Sequence, residues 1–178
     1  MRTQSLFALA LVASLVLAPA VYAQHPPTDL RDGFLTRYNY AAQRLVALAK
    51  AMPEDKFAWS PGEGVMSVER VFMHIIRYNY YYPESSLGVA APEGIDVPNL
   101  ESLTGKAVVL EHLKPSLDHV REVLAAMSEE DLSRSVGLYG RDTEAWNVLL
   151  QLQVHMGEHL GQLIAYARMN EVVPPWSR

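Results

Sequence analysis

Four stretches with helical apolar periodicity, and no segment alternating apolar and polar residues at the period of a strand, confine this chain to an all-α fold. The first runs from about Asp29 to Ala51, with Leu30, Phe34, Leu45 and Leu48 on a helical repeat, and "MPEDK" stops it. The second opens at Ser67, a residue suited to an N-cap, and ends before Pro83. The third spans about Thr104 to Met127, with Leu113, Leu117, Val120 and Leu124 on one face. Pro115 falls inside it and predicts a kink or a break. The fourth begins near Asp142 or Thr143 and reaches about Asn170, where "VVPP" forbids continuation. Four amphipathic helices in one domain predict a four-helix bundle. The connection between the second and third helices, residues 83–103, is long for a bundle. It reads as a crossover between non-adjacent helices or as a flap over one bundle end.

Residues 1–23 stand outside this pattern. "MRTQS" carries one positive charge, "LFALALVASLVLA" is apolar throughout, and "PAVYA" offers Val21 and Ala23 as small residues at a cleavage site. These features predict a secretory signal peptide cut after Ala23 and a secreted or periplasmic protein, with no membrane attachment after cleavage. A bundle domain over residues 24–178 remains, long enough to bury a core of its own. Arg2 is the only charged residue removed, so the net charge of −5 becomes −6. A mildly acidic chain without a basic run speaks against nucleic acid as a partner. The chain has no cysteine, which excludes disulfides, thiol nucleophiles and thiolate ligands.

The chemistry concentrates in the fourth helix, in "VHMGEHLGQLIAY". At about 100° per residue His155 and His159 lie within about 40° of one another, joined by Gln151, Gln162 and Tyr166 in a polar stripe. Side chains at i and i+4 start about 5–6 Å apart, so two imidazoles can lean onto one ion. Six histidines make one such pair common by chance, and two histidines bonded to separate neighbours fit equally well. A metal needs a third ligand. His25 follows the cleavage site, and His112 and His119 lie off the apolar face of the third helix and read as solvent-facing. His74 sits among Met73, Ile75 and Ile76, with Val71, Tyr78 and Tyr81 on its face; it is either a core histidine or the missing ligand.

Two metal architectures fail on inspection. No glutamate lies three residues before any histidine, which removes the Glu-x-x-His di-iron pattern. His155 to His159 also spells H-x-x-E-H, with Glu158 as a general base. That pattern needs a downstream acidic ligand, and Glu171 is the one acid in the nineteen residues after His159. Gly157 and Gly161 fall on the opposite face of the helix, where each costs about 1 kcal/mol relative to alanine. Two there predict close approach of another backbone, within the bundle or in a homodimer.

The stretches "AWSPGEGVMSVERVFMHI", "NYYYP" and "HMGEHLGQLIAYARMNEVVPPWSR" resemble the DinB-like four-helix-bundle proteins of bacteria over nearly the whole of residues 24–178. The resemblance implies a divalent metal ion, zinc, nickel or similar, held by one histidine of the second helix and an H-x-x-x-H of the last. These are His74, His155 and His159. It further implies a metal-dependent enzyme acting on a small molecule, of hydrolase or thiol S-transferase type. A metal-binding or stress-associated module without turnover is the alternative. Glu158, Gln162 and Tyr78 are the polar neighbours to watch, with Glu158 the candidate catalytic group.

Overall fold

The structure, a computed structural model, describes residues 30–177. The expected signal peptide and His25 lie outside the described residues. Four helices carry the fold: α1 (Leu30–Ala51), α2 (Val68–Tyr82), α3 (Lys106–Ala126) and α5 (Trp146–Met169), with a short α4 (Glu129–Ser133) between the last two. Both α1 and α2 pack on α3 and on α5, so the order around the bundle is α1, α3, α2, α5. No described helix is long and apolar enough to cross a membrane.

The predicted apolar faces form the core. Leu45, Leu48, Leu113, Leu117, Val120 and Leu124 are all buried, together with Phe72, Ile75 and Ile76 of α2. Each such side chain contributes roughly 1.5–3 kcal/mol by leaving water. Leu30, at the first turn of α1, remains exposed. The Ser67 hydroxyl accepts from the Arg70 amide, the N-cap expected for α2.

Four expectations need correction. Pro115 neither breaks nor ends α3, which continues through it. The amide that proline lacks would have paired with the carbonyl of Glu111, an exposed residue whose carbonyl water can satisfy. His119 is buried rather than solvent-facing, with its ring 5.1 Å from that of Tyr80. Two helices cover α3, and its buried arc therefore extends past the apolar stripe to Ser116, His119 and Val123.

The third correction concerns residues 135–144, where helix or loop was expected. They form an antiparallel hairpin, β1 (Ser135–Leu138) and β2 (Arg141–Glu144), with Leu138 paired to Arg141. Its two-residue turn puts Tyr139 at φ 53 and Gly140 at φ 74, the doubly left-handed turn that suits strand twist. The hairpin takes up Asp142 and Thr143, so α5 starts later than predicted.

The fourth is the close packing expected inside the bundle at Gly157 and Gly161. Both are exposed, and among the described residues a Cβ added at either would meet nothing within 4 Å. No described backbone approaches them. The apolar richness of α5 misled here, because Leu150 and Val154 on the same side are themselves exposed. Gly157→Ala and Gly161→Ala should each raise stability by about 0.5–1 kcal/mol through helix propensity, measured by chemical denaturation. Gly157→Leu that lowers the sedimentation mass of the wild type would instead place a second copy on this face.

Candidate metal centre

Helix α2 divides its faces cleanly. Val71, Phe72, Ile75 and Ile76 enter the core, while Arg70, His74, Arg77, Tyr78 and Tyr81 share the face beside it. On α5, Leu152, Met156 and Leu163 pack inward, and Gln151, His155, His159, Gln162 and Tyr166 follow one another along the flank. Because α2 packs on α5, these two polar faces meet.

The meeting point is a cluster of three imidazoles. Ring centroids lie 5.0 Å apart for His74 and His155, 4.8 Å for His74 and His159, and 4.6 Å for His155 and His159. One nitrogen from each lies within 4.8 Å of the others, close enough for the three to hold a metal ion. The structure thus brings together the three histidines that the sequence separates into two helices.

Hydrogen bonding shows which nitrogens are free. His74 Nδ1 is 2.9 Å from Glu101 Oε1, and His159 Nδ1 is 2.9 Å from Gln162 Oε1. Both partner oxygens accept, so each Nδ1 donates, and Nε2 of both rings is left as the nitrogen available to an ion. His155 Nε2 is buried and has no hydrogen-bond partner among the described residues. A buried polar atom without a partner costs about 1–3 kcal/mol. Three neutral imidazoles with uncommitted nitrogens suit zinc or a similar divalent ion.

Electrostatics favour the neutral form of His74 and His155. Burial, then the adjacent His159 and His74, push His155 down to about 3. Burial also lowers His74, opposed by its hydrogen bond to Glu101 and by the Glu101 charge. A metal requires neutral imidazole, which these shifts favour at His74 and His155.

The wall around the cluster is aromatic. Tyr78 lies 4.6 Å from the His74 ring and 4.7 Å from that of His155. The Tyr82 ring meets His155 edge-on at 6.0 Å. Its hydroxyl bonds to that of Tyr139 in the hairpin and accepts from Gln151 Nε2 at 3.4 Å. Burial and the bond to Tyr139 raise the Tyr82 hydroxyl far above its ordinary range, so it stays protonated. Beyond this chain, the hairpin and α5 border a cleft of about 560 Å³ lined by Tyr139, Arg141, Asn147, Leu150 and Gln151. The cluster itself is not sealed. The His74 side chain keeps 20% of its exposure, and His159 is half-buried.

Among the polar neighbours expected, Gln162 and Tyr78 touch the cluster and Glu158 does not. Glu158 is exposed, and no hydrogen bond or ion pair among the described residues links it to the histidines. Glu101, which the sequence reading did not single out, is the acid that does. It comes from the 3-10 turn Val97–Ser102 in the long connection, which packs along α2. The connection is therefore no crossover, since α2 and α3 are neighbours. One signal was available: Arg70, His74 and Arg77 recur at i, i+4 and i+7, a row of donors on one helix face that calls for an acid.

Comparison with known proteins agrees with this architecture. The sequence matches the DinB superfamily over residues 37–163. A DinB-like protein from Bacillus cereus is similar in structure, with TM-score 0.71 and 17% identity, covering 81% of this chain and 95% of its own. Another from Bacillus subtilis, YjoA, gives TM-score 0.61 and 21% identity, covering 84% of this chain and 96% of its own. No curated protein is recognisably similar in sequence. At these identities the solved structures speak for the fold alone, and the sequence match, spanning most of the chain, decides the family: the chain belongs to the DinB superfamily.

Proposed function

We propose that this protein binds a divalent metal ion through His74, His155 and His159 and uses it in a metal-dependent reaction on a small molecule. The observation that carries the reading is the convergence of three imidazoles with uncommitted nitrogens, two of them oriented by acceptors on Nδ1. Such an ion, with three protein ligands, keeps coordination positions open and supplies Lewis acidity suited to hydrolysis or to thiol transfer. The chain's own contribution is to favour the neutral form of His74 and His155 and to present Tyr82, Tyr139 and Gln151 as hydrogen-bonding groups beside the site. The cleft at the hairpin reaches α5 at Gln151, one turn before His155, and its lining includes none of the three histidines.

One observation favours the reading without turnover: Tyr78 and Glu101 cover two sides of the cluster. Cobalt substitution separates the two. An open site changes its visible spectrum when a small thiol or carboxylate is added, whereas a closed site does not respond. The primary test is metal content. Purified protein should carry close to one equivalent of a divalent ion, and chelation should lower its melting temperature. Metal-free protein that gains no stability from zinc, nickel or cobalt would overturn the reading. The leader-like sequence of residues 1–23 supports a location outside the cytoplasm, and a mature N-terminus at Gln24 in the exported fraction is the expected result.

A further inference from the structure

We propose that Glu101 is a positioning residue for the metal site: it fixes His74 in one tautomer and couples docking of the 97–102 turn to metal loading. The first half stands on hydrogen bonding alone, and the coupling rests on the metal reading above.

Glu101 Oε1 receives both His74 Nδ1 at 2.9 Å and Arg77 at 3.2 Å, while Oε2 faces Arg70 at 3.6 Å. Oε1 already accepts from the Arg77 guanidinium and Oε2 faces that of Arg70, so both carboxylate oxygens are presented as acceptors. The proton between Glu101 and His74 therefore belongs to His74 Nδ1. In the neutral ring that choice puts the lone pair on Nε2, the nitrogen a metal would use. A carboxylate on the far nitrogen also makes the ligand more basic, the arrangement found behind many metal-bound histidines. His159 has only the neutral amide of Gln162 in the corresponding place. His74 is thus the ligand most strongly conditioned by its partner.

The carboxylate arrives from outside the bundle helices. Apart from Glu101, the turn is anchored by buried Val97 and Leu100, and Glu101 is its charged tie to α2. With an ion held on Nε2, the Nδ1–H of His74 would be more polarised and its bond to Glu101 stronger. By linkage, whatever strengthens that bond also holds the turn down, and a docked turn tightens the metal by the same factor. Residues 97–102 then act as a strap whose fastening reports on the metal.

Two variants and three readouts test this in the full chain. Glu101→Gln keeps the length but offers both an acceptor and donors, so it permits either His74 tautomer. Arg70→Gln loosens the outer ion pair and leaves the His74 contact in place. In metal-free protein at alkaline pH, nitrogen NMR should show His74 of the wild type and of Arg70→Gln protonated on Nδ1, and a mixture in Glu101→Gln. Zinc affinity measured by competition with a chromophoric chelator should fall about 10–100-fold in Glu101→Gln and much less in Arg70→Gln. Hydrogen exchange of residues 97–102 should slow on adding zinc to the wild type but not to Glu101→Gln. Equal loss of zinc affinity in both variants, with an unchanged His74 tautomer, would reduce Glu101 to a structural ion pair and overturn the proposal. A wild type that takes no zinc would defeat the metal reading and the coupling together, while the metal-free tautomer measurement still decides whether Glu101 positions His74.

Discussion

On the proposed metal reading, single removal of His74, His155 or His159 should erase nearly all of the stability gained on adding metal. Metal bound to the folded state alone stabilises by RT ln(1 + [L]/Kd), about 4.1 kcal/mol at a thousandfold excess over Kd. A variant whose Kd has risen a thousandfold retains only about 0.4 kcal/mol at the same metal concentration. The quantity to compare is the difference between loaded and chelated protein for each variant. That difference cancels the separate cost of emptying a buried position, which is largest at His155. His74 is the decisive member, because 80 positions separate it from His155 and a shared ion is what would make their losses interdependent. The double variant His74→Ala/His155→Ala should lose little more metal-dependent stability than either single one. His112→Ala, on the third helix away from the cluster, should leave it unchanged. If His74→Ala keeps full metal-dependent stability while His155→Ala loses it, the ligand set is wrong at His74.

What the sequence made legible follows from where the interactions lie. Helix faces are local, and the positions named from periodicity in α3, Leu113, Leu117, Val120 and Leu124, are the ones buried. His155 and His159 are also local, four residues apart on one helix. His74 required the family resemblance, since no periodic pattern links two helices. Glu101 meets His74 across 27 residues, through a connection with no helical period of its own. The hairpin escaped because a pairing of four residues per strand, only one of them buried and apolar, leaves no alternating signature. Its turn was readable in principle, since Tyr139-Gly140 stands between Leu138 and Arg141. The close packing expected at the α5 glycines inside the bundle failed for a different reason. A glycine's lack of side chain permits close approach but does not require it, and only the packing of neighbours can tell an enclosed face from an open one.

Acid will destabilise the metal-free protein well before its carboxylates are protonated. In the unfolded chain a histidine takes up a proton as pH falls through about 6.5. In the folded protein His155 refuses that proton until about 3, chiefly because it is buried and secondarily because His159 and His74 stand beside it. Between those two values the unfolded state binds more protons, so stability is fully present above about pH 6.5 and falls as pH drops through the window. At about 1.36 kcal/mol per pH unit, His155 alone removes roughly 2 kcal/mol by pH 5. His74 and His119 are lowered by burial too and act in the same direction. His155→Gln cannot titrate, so its stability measured by urea denaturation should decline with acidification less steeply than that of the wild type, by about 1 kcal/mol per pH unit. The comparison is of slopes, which removes any constant cost of the substitution. Parallel slopes would show that His155 takes up its proton in the folded protein near the ordinary histidine range. With zinc present the dependence becomes steeper, because protons and the ion compete for the same nitrogens. The gap in stability between loaded and metal-free protein should therefore close as pH falls, and a gap that stays constant down to pH 4 would mean that the stabilising ion sits on groups other than these imidazoles.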